Sequence, residues 1–460
     1  MINPLKAIKQ SLGKVSTSLP LKPVDDADST LSSNMRALRM VMTIAEHLLS
    51  MGVAARDVVH MSSGITKTYC KKPVHIDVSY TLITMSQDRG IDKEPLTLIR
   101  TIHPRDANYQ TIQALQSLAL EIRDKHVELS DAEARVDQIL SNPKHHPDWV
   151  IAAAGGGVSG GVVMLYDGPL FMATVAFMIG FLATRFLHWL DKKGATTFYS
   201  QVMAALLITL VSAAAAWVNT ELSLTLNPTL IVVSGIVLLV AGMMIVGAFQ
   251  DAIDEYYITA NARLLKVSLA TGGIVIGVMT GLFIATRFGI DFPTTPDRLS
   301  LADTTTQYIA AIIIAACFAL RNHAFSVGLL ASGAVGMLGW WASRLMLNFG
   351  LGIVVASGIA AAVIGLMATF MSRFWKFPSM AIIAAGVVPL VPGLALYNGL
   401  MGIVETPPGD PEFVFALAVL LRAIMIGLAV AAGATFGIIV GRPLRRRFTR
   451  IYNRLPSNKK

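Results

Sequence analysis

Residues 235–242 read GIVLLVAG and residues 386–393 read GVVPLVPG, two apolar stretches framed by glycine and offset by 151 positions (386 minus 235). The same offset carries Asp254 onto Glu405, so each copy leaves its apolar stretch through an acidic residue. Duplicated membrane segments are the pattern of transporters assembled from structural repeats, whose substrate sites lie where the repeats meet. Short echoes of Gly, Val and Leu also arise by chance in lipid-facing sequence, so the duplication must be judged with its surroundings.

Those surroundings are apolar. The 460-residue chain is 54% hydrophobic, and apolar runs follow one another from Val150 to Val440, whereas the part before Trp149 is mixed and charged. A membrane-crossing helix takes about 20 predominantly apolar residues, with about 17 enough for a short one. Ten runs satisfy or approach this, near 150–166, 170–190, 199–219, 228–248, 265–287, 303–320, 324–341, 349–370, 379–402 and 413–440. The sixth and seventh are the least sharply bounded.

The net charge of +9 does not indicate nucleic acid, because the basic residues sit beside the spans and form no basic domain with interleaved aromatics. With ten spans, one side collects Arg185, Lys192, Lys193, Arg263, Lys266, Arg321, Arg373, Lys376 and the tail from Arg442, and the other only Arg287, Arg298 and Arg344. By the positive-inside bias, both termini are expected in the cytoplasm of a cell with an inner (plasma) membrane. The start, MINPLKAIKQSLGKV, lacks the continuous apolar core of a secretory signal. Cys70 and Cys317 are the only cysteines, too few for a disulfide framework or a thiolate metal site.

The organisation expected is a mobile leader over 1–33, an α+β cytoplasmic domain over 34–148, five-span modules over 149–290 and 303–441, and a basic tail over 442–460. In the domain, Leu38, Met42, Ile44, Ala45, Leu48 and Leu49 have helical spacing and Gly52 supplies a stop. Val74 to Leu82 alternates as one half-buried strand, and Leu96 to Ile102 reads as a second. Asn108 to Lys125 returns to helical period, and Ser130 with Glu133 predicts a capping box before a helix over Ala132 to Leu140. The linker PKHHPDW reads as a polar connection with an interfacial tryptophan; His145 and His146 have no third metal ligand nearby in sequence. Splitting the membrane part at 289–303 gives five spans per half, and an odd number forces the second half to insert inverted.

Several residues could carry chemistry. Pro389 and Pro392 interrupt a span whose backbone must otherwise satisfy itself in lipid, which makes a polar contact point or a packing kink. The glycines at 155, 156, 157, 160 and 161 read as a close-packing face and not as a phosphate loop, since no Lys-Ser/Thr follows. Arg422 lies roughly 15 Å into the tenth span at 1.5 Å per residue, near the middle of the hydrocarbon layer. A guanidinium there could hold a substrate carboxylate, pair with an intramembrane acid, or snorkel to the interface. Gln250, Asp251 and Asp254 cluster where the fourth span ends, either as a solvated loop or as proton carriers. His75 and Asp77 share one face of a strand, with neither nucleophile nor orienting group evident beside them.

With these residues in place, the chain resembles the threonine/serine exporter family of bacteria. HIDVSYTLIT at His75 to Thr84 is similar to the family's strand in its N-terminal domain, and KKGATTFY at Lys192 to Tyr199 to its loop between the second and third spans. SGIVLLVAG at Ser234 to Gly242, then Gln250-Asp251 and TANAR at Thr259 to Arg263, resemble its first membrane module; GVVPLVPGLALY at Gly386 to Tyr397 resembles its second. The resemblance covers about residues 35 to 440 and implies a ten-span exporter of threonine and serine driven by the proton-motive force. Relatives that split the two modules into separate proteins are linked to dicarboxylates such as succinate.

Candidate transport residues are therefore Arg422, which lies outside these motifs, with Pro389, Pro392, Gly393 and Tyr397 in the ninth span and Gly235 and Gly242 in the fourth. Candidate coupling or gating residues are Gln250, Asp251, Asp254 and Glu405, and His75 and Asp77 are the candidates in the cytoplasmic domain. The expectation is a secondary exporter, not an enzyme, whose partners are a small amino acid, protons and the bilayer, with no nucleic acid, no metal and no cofactor. A homo-oligomer is compatible with it. The alternatives are an exporter of dicarboxylates, a membrane-anchored hydrolase using the His75 strand, and a passive channel.

Overall fold

The computed structural model describes residues 29–90, 93–125, 127–222, 227–239, 242–289, 300–375 and 377–452. The leader expected over 1–33 lies outside them up to residue 28, and its last positions already belong to helix α1 (Ser29–Ser50). The stripe of Leu38, Met42, Ala45, Leu48 and Leu49 is buried, and Gly52 ends the run in a left-handed conformation, φ +87°. Then follow α2 (Ala55–Tyr69), β1 (Val74–Ser79), β2 (Leu82–Gln87), β3 (Leu96–Thr101), α3 (Tyr109–Lys125) and α4 (Leu129–Ser141). The strands form one antiparallel sheet in the order β1-β2-β3.

Two local expectations are corrected. The alternating run from Val74 to Leu82 is not one strand: the chain reverses at Tyr80, φ +45°, and Leu82 pairs back with Ser79. The alternation continues through the Tyr80-Thr81 turn, which carries no Gly, Asn or Asp to mark it. The capping box does not form either, because α4 begins at Leu129, ahead of Ser130, with no side-chain cap. Glu133 pairs instead with Arg36 of α1, a charged partner that competes with the local backbone.

The remaining helices are α5 (Asp148–Leu165), α6 (Leu170–Lys192), α7 (Thr197–Leu222), α8 (Pro228–Leu239), α9 (Gly242–Ile253), α10 (Tyr257–Arg287), α11 (Thr304–Arg321), α12 (Ser326–Asn348), α13 (Ile353–Trp375), α14 (Ser379–Gly386), α15 (Gly393–Glu405) and α16 (Pro411–Tyr452). Among the described residues, seven helices are long and apolar enough to cross a membrane, and up to nine if the bent pairs α8/α9 and α14/α15 each count as one span. The chain is thus a multi-pass helical membrane protein. The difference from ten lies in α12, whose 23 residues include Ser326, Ser332, Ser343 and Arg344 and are less apolar. Two boundaries also move: α10 takes TANAR into its first turns, and α16 continues to Tyr452, drawing the start of the basic tail into a 42-residue helix. Most of the proposed dividing loop, residues 290–299, lies outside the described residues.

Packing repeats itself. Helix α5 packs on α6 as α11 packs on α12, and α7 packs on α10 as α13 packs on α16. Glycine permits both of the latter contacts: Gly273 and Gly277 lie against the α7 backbone at Phe198 and Val202, and Gly433 and Gly437 against the α13 backbone at Gly358 and Ala362. The α5 glycines form the expected packing face, with Gly156 and Gly160 against α6 and Gly157 and Gly161 against α11. Helices α5 and α11 are themselves in contact.

Candidate transport site at two broken helices

The second break follows from its prolines. Pro392 disfavours helical backbone at the residue before it, and Val391 is extended at φ −64°, ψ 126°. Pro389 has no N–H to continue α14, which ends at Gly386; a single 3-10 turn, Val388–Leu390, bridges to α15. The axis bends by 52° there. At the other bent pair, Asn227 Oδ1 accepts the Leu230 amide at 3.2 Å and Pro228 takes the first helical position of α8. Every residue of α8 is buried, and the axis bends by 46° between α8 and α9 with no proline at the bend.

The two breaks meet. Gly393, the first residue of α15, faces Val237 of α8 so closely that a Cβ at 393 would overlap Val237 Cγ2. Gly235 instead packs against Ile208 of α7, and Gly242 opens α9. Tyr397 is buried one turn into α15. Helix α11 touches both α14 and the 3-10 turn, and its last residue, Arg321, donates Nη1–H to Leu238 O at 2.9 Å, just before the first break. The hydroxyl of Ser159 on α5 donates to Ser234 O at 3.4 Å.

At the end of α9 the acids are not a solvated loop. Gln250 and Asp251 are 1% and 0% exposed. Asp251 Oδ2 lies 2.9 Å from Arg263 Nη1, and its Oδ1 accepts the Ala55 amide at 2.9 Å. Ala55 opens α2, whose first amides have no partner within the helix, so a carboxylate from the membrane part caps a helix of the N-terminal unit. Arg263 Nη2 donates to Val53 O at 2.9 Å. Asp254 pairs with Arg56, Asp57 with Arg442 at 3.3 Å, and Thr259 Oγ1 accepts the Tyr80 amide at 3.0 Å. A cleft beside this seam is lined by Gly52, Val53, Tyr109, Ile112, Pro378 and Met380, where the N-terminal unit meets the start of α14.

A second seam joins the linker to the loop after α11. The Tyr109 amide donates to Asn322 O at 2.9 Å, the His146 amide to His323 Nδ1 at 3.1 Å, and the His145 ring stands edge-on to His323 at 4.9 Å. Burial first, then His145 and His146, pushes His323 down to about 4.

Other candidates fall elsewhere. The Arg422 side chain is exposed on α16, beside exposed Leu421 and Ile424. Depth along a helix says nothing about which face a residue occupies. Glu405 is the last residue of α15, and its side chain lies outside the described residues. His75 and Asp77 are exposed on the open face of β1, opposite Ser86 and Thr84. The residues that sequence reasoning missed are Arg263 and Arg321, which it took as topology charges; the TANAR resemblance was the one signal pointing at Arg263.

The family comparisons agree with this architecture. Residues 39–285 match the family model described as "Putative threonine/serine exporter", and residues 307–440 match "Threonine/Serine exporter, ThrE". The chain is 28% identical over 419 residues to the "Probable threonine/serine exporter" of Mycobacterium tuberculosis (strain ATCC 25618 / H37Rv), covering 89% of this chain and 77% of that protein. It is 27% identical over 433 residues to the "Threonine/serine exporter" of Corynebacterium glutamicum, covering 93% and 86%. No solved structure matches. With more than half of its length matched by the first of these models, the chain belongs to the threonine/serine exporter family.

Proposed function

We propose that this protein is a secondary exporter of threonine and serine, coupling their outward movement to inward proton flow across the inner membrane. The observation that carries the reading is the contact between Gly393 and Val237, which brings two broken helices together inside the bundle. Broken half-helices that meet are how secondary transporters present backbone groups to a substrate in the membrane interior. The recurring pairings, α5 with α6 and α11 with α12, α7 with α10 and α13 with α16, support two five-span halves in inverted orientation. That reading counts α12 as the tenth span and puts both termini in the cytoplasm.

Residues 34–148 then form a cytoplasmic domain seated over the inner ends of the spans. Asp251 is the proposed proton carrier: protonation would discharge its pair with Arg263 and weaken its cap on α2, linking proton flow to release of that domain. The names of the relatives favour threonine and serine over organic acids. In proteoliposomes, an inward proton gradient should accelerate efflux of labelled threonine and serine, and an uncoupler should remove the acceleration. Accelerated succinate efflux with threonine retained would establish the organic-acid alternative instead.

A further inference from the structure

The turn into α2 is held from two sides. On one side stand α9 and α10: Asp251 accepts the Ala55 amide at 2.9 Å, Arg263 donates to Val53 O at 2.9 Å, Asp254 pairs with Arg56, and Thr259 Oγ1 accepts the Tyr80 amide at 3.0 Å. On the other side the very next residue, Asp57, pairs at 3.3 Å with Arg442 of α16. Residues 53–57 are therefore tied to both sets of helices.

The two attachments differ in chemistry. The first is built on hydrogen bonds and ion pairs. The second adds rings and apolar side chains: Tyr109 stands edge-on to Phe377 with centroids 6.3 Å apart, and Met51, Val53 and Ile112 line a cleft with Pro378 and Met380. Tyr109 and Phe377 are 1% and 3% exposed, and Phe377 is wedged against α12, where a Cβ on Gly328 would overlap its ring. Opening a polar seam exchanges its partners for water, whereas opening the second would expose buried rings with nothing to offset the loss. Asp251 and Arg263 also lie on the same side of the polar seam, so opening it strands neither from the other.

We infer that the N-terminal unit rides with the second five spans and latches the first five, so that each export cycle opens the seam between α2 and the α9–α10 turn while Asp57, Tyr109 and Phe377 keep their partners. The inference rests on the export reading above and names the part that moves in it. Helix α9 also touches α14 and α16, so the helix that carries the latch is one that must part from the second five spans for this end to open. A unit fastened permanently to both sides would hold α9 in place and stop the alternation.

Two bridges on neighbouring residues test it. In a full-length chain with Cys70 and Cys317 replaced by Ala, cysteines are introduced as Arg56→Cys with Asp254→Cys, across the latch, or as Asp57→Cys with Arg442→Cys, across the anchor. Each pair is closed with a short bis-methanethiosulfonate that a reductant removes, and single-cysteine chains given the same reagent set the baseline. Threonine exchange in proteoliposomes should be lost while the 56–254 bridge is closed and return on reduction, and should stay at the unbridged rate with the 57–442 bridge closed. Exchange that continues with the latch bridged, or is lost with the anchor bridged, overturns the inference. Spin labels on cysteines placed at exposed Thr97 and Tyr257, or at Thr97 and Phe374, give a second reading that alters neither seam. Threonine should shift the 97–257 distances and leave the 97–374 distances as they are; unshifted 97–257 distances or shifted 97–374 distances overturn the inference. Absence of threonine exchange by the unaltered chain would overturn the export reading itself.

Discussion

Asp251 and Arg263 form a buried ion pair, 2.9 Å from Oδ2 to Nη1, with side chains 0% and 8% exposed. Each partner also reaches into the N-terminal unit, Asp251 to the Ala55 amide and Arg263 to Val53 O. The pair thus fastens two parts of the chain that are far apart in sequence. Breaking it from one side strands a buried charge, which costs about 3 to 5 kcal/mol. Asp251→Asn should lower the denaturation midpoint of the detergent-solubilised protein markedly, and Asp251→Leu with Arg263→Met should recover much of the loss. Equal midpoints for Asp251→Asn and the unaltered protein would mean that the pair fastens nothing.

The neighbouring pair should behave differently. Arg56 is 53% exposed where it meets Asp254, whose side chain is only 4% exposed, so solvent reaches the cation of this pair but not the carboxylate. Arg56→Ala should lower the midpoint, though by less than Asp251→Asn because the cationic side of this pair is open to solvent, and an unchanged midpoint would mean that the pair does not hold Asp254.

His323 gives the docked linker a pH dependence. Its ordinary value of 6.5 is pushed down to about 4 in the folded protein, with Asp106 and Asp148 pulling weakly the other way. Between those values the undocked state binds the extra proton, so the stabilisation is complete above about 6.5 and drains away as pH falls toward about 4. Limited proteolysis of the 142–149 linker should accelerate over that window, and His323→Gln should flatten the profile. An acceleration of the same size in His323→Gln would assign it to other groups.

Gly393→Ala tests the crossing of the broken helices. The added methyl would overlap Val237 Cγ2, and overpacking of this kind costs about 1 to 3 kcal/mol. Transport should fall, and Val237→Ala in the same chain should restore part of it. Restoration by Val237→Ala would be absent if the two residues did not touch.

Arg422→Ala should transport threonine with unaltered affinity, since the Arg422 side chain is exposed on α16 and not turned toward the breaks. A tenfold loss of affinity would return this arginine to the substrate path.

How much of this was legible depends on the range of the signal. Hydropathy and the prolines at 389 and 392 are local, and they marked the membrane helices and the second break. The first break has no proline at its bend, so only the offset to GVVPLVPG hinted at it. The Tyr80 turn was hidden because alternation does not stop at a two-residue reversal. Arg422 and Arg321 show the main gap: sequence gives depth along a helix, whereas the face a side chain occupies is decided by packing with α8, α11 and α13, which no local pattern encodes. Asp251 and Ala55 are 196 residues apart, and nothing in either neighbourhood announces the other.

The most direct measurement is counterflow of labelled threonine into proteoliposomes preloaded with unlabelled threonine or serine, with no ion gradient imposed. Exchange through an alternating-access exporter should produce a transient accumulation of label with either preload and none with a succinate preload. Label that never exceeds simple equilibration, or accumulation driven only by succinate, would contradict threonine and serine export by this protein.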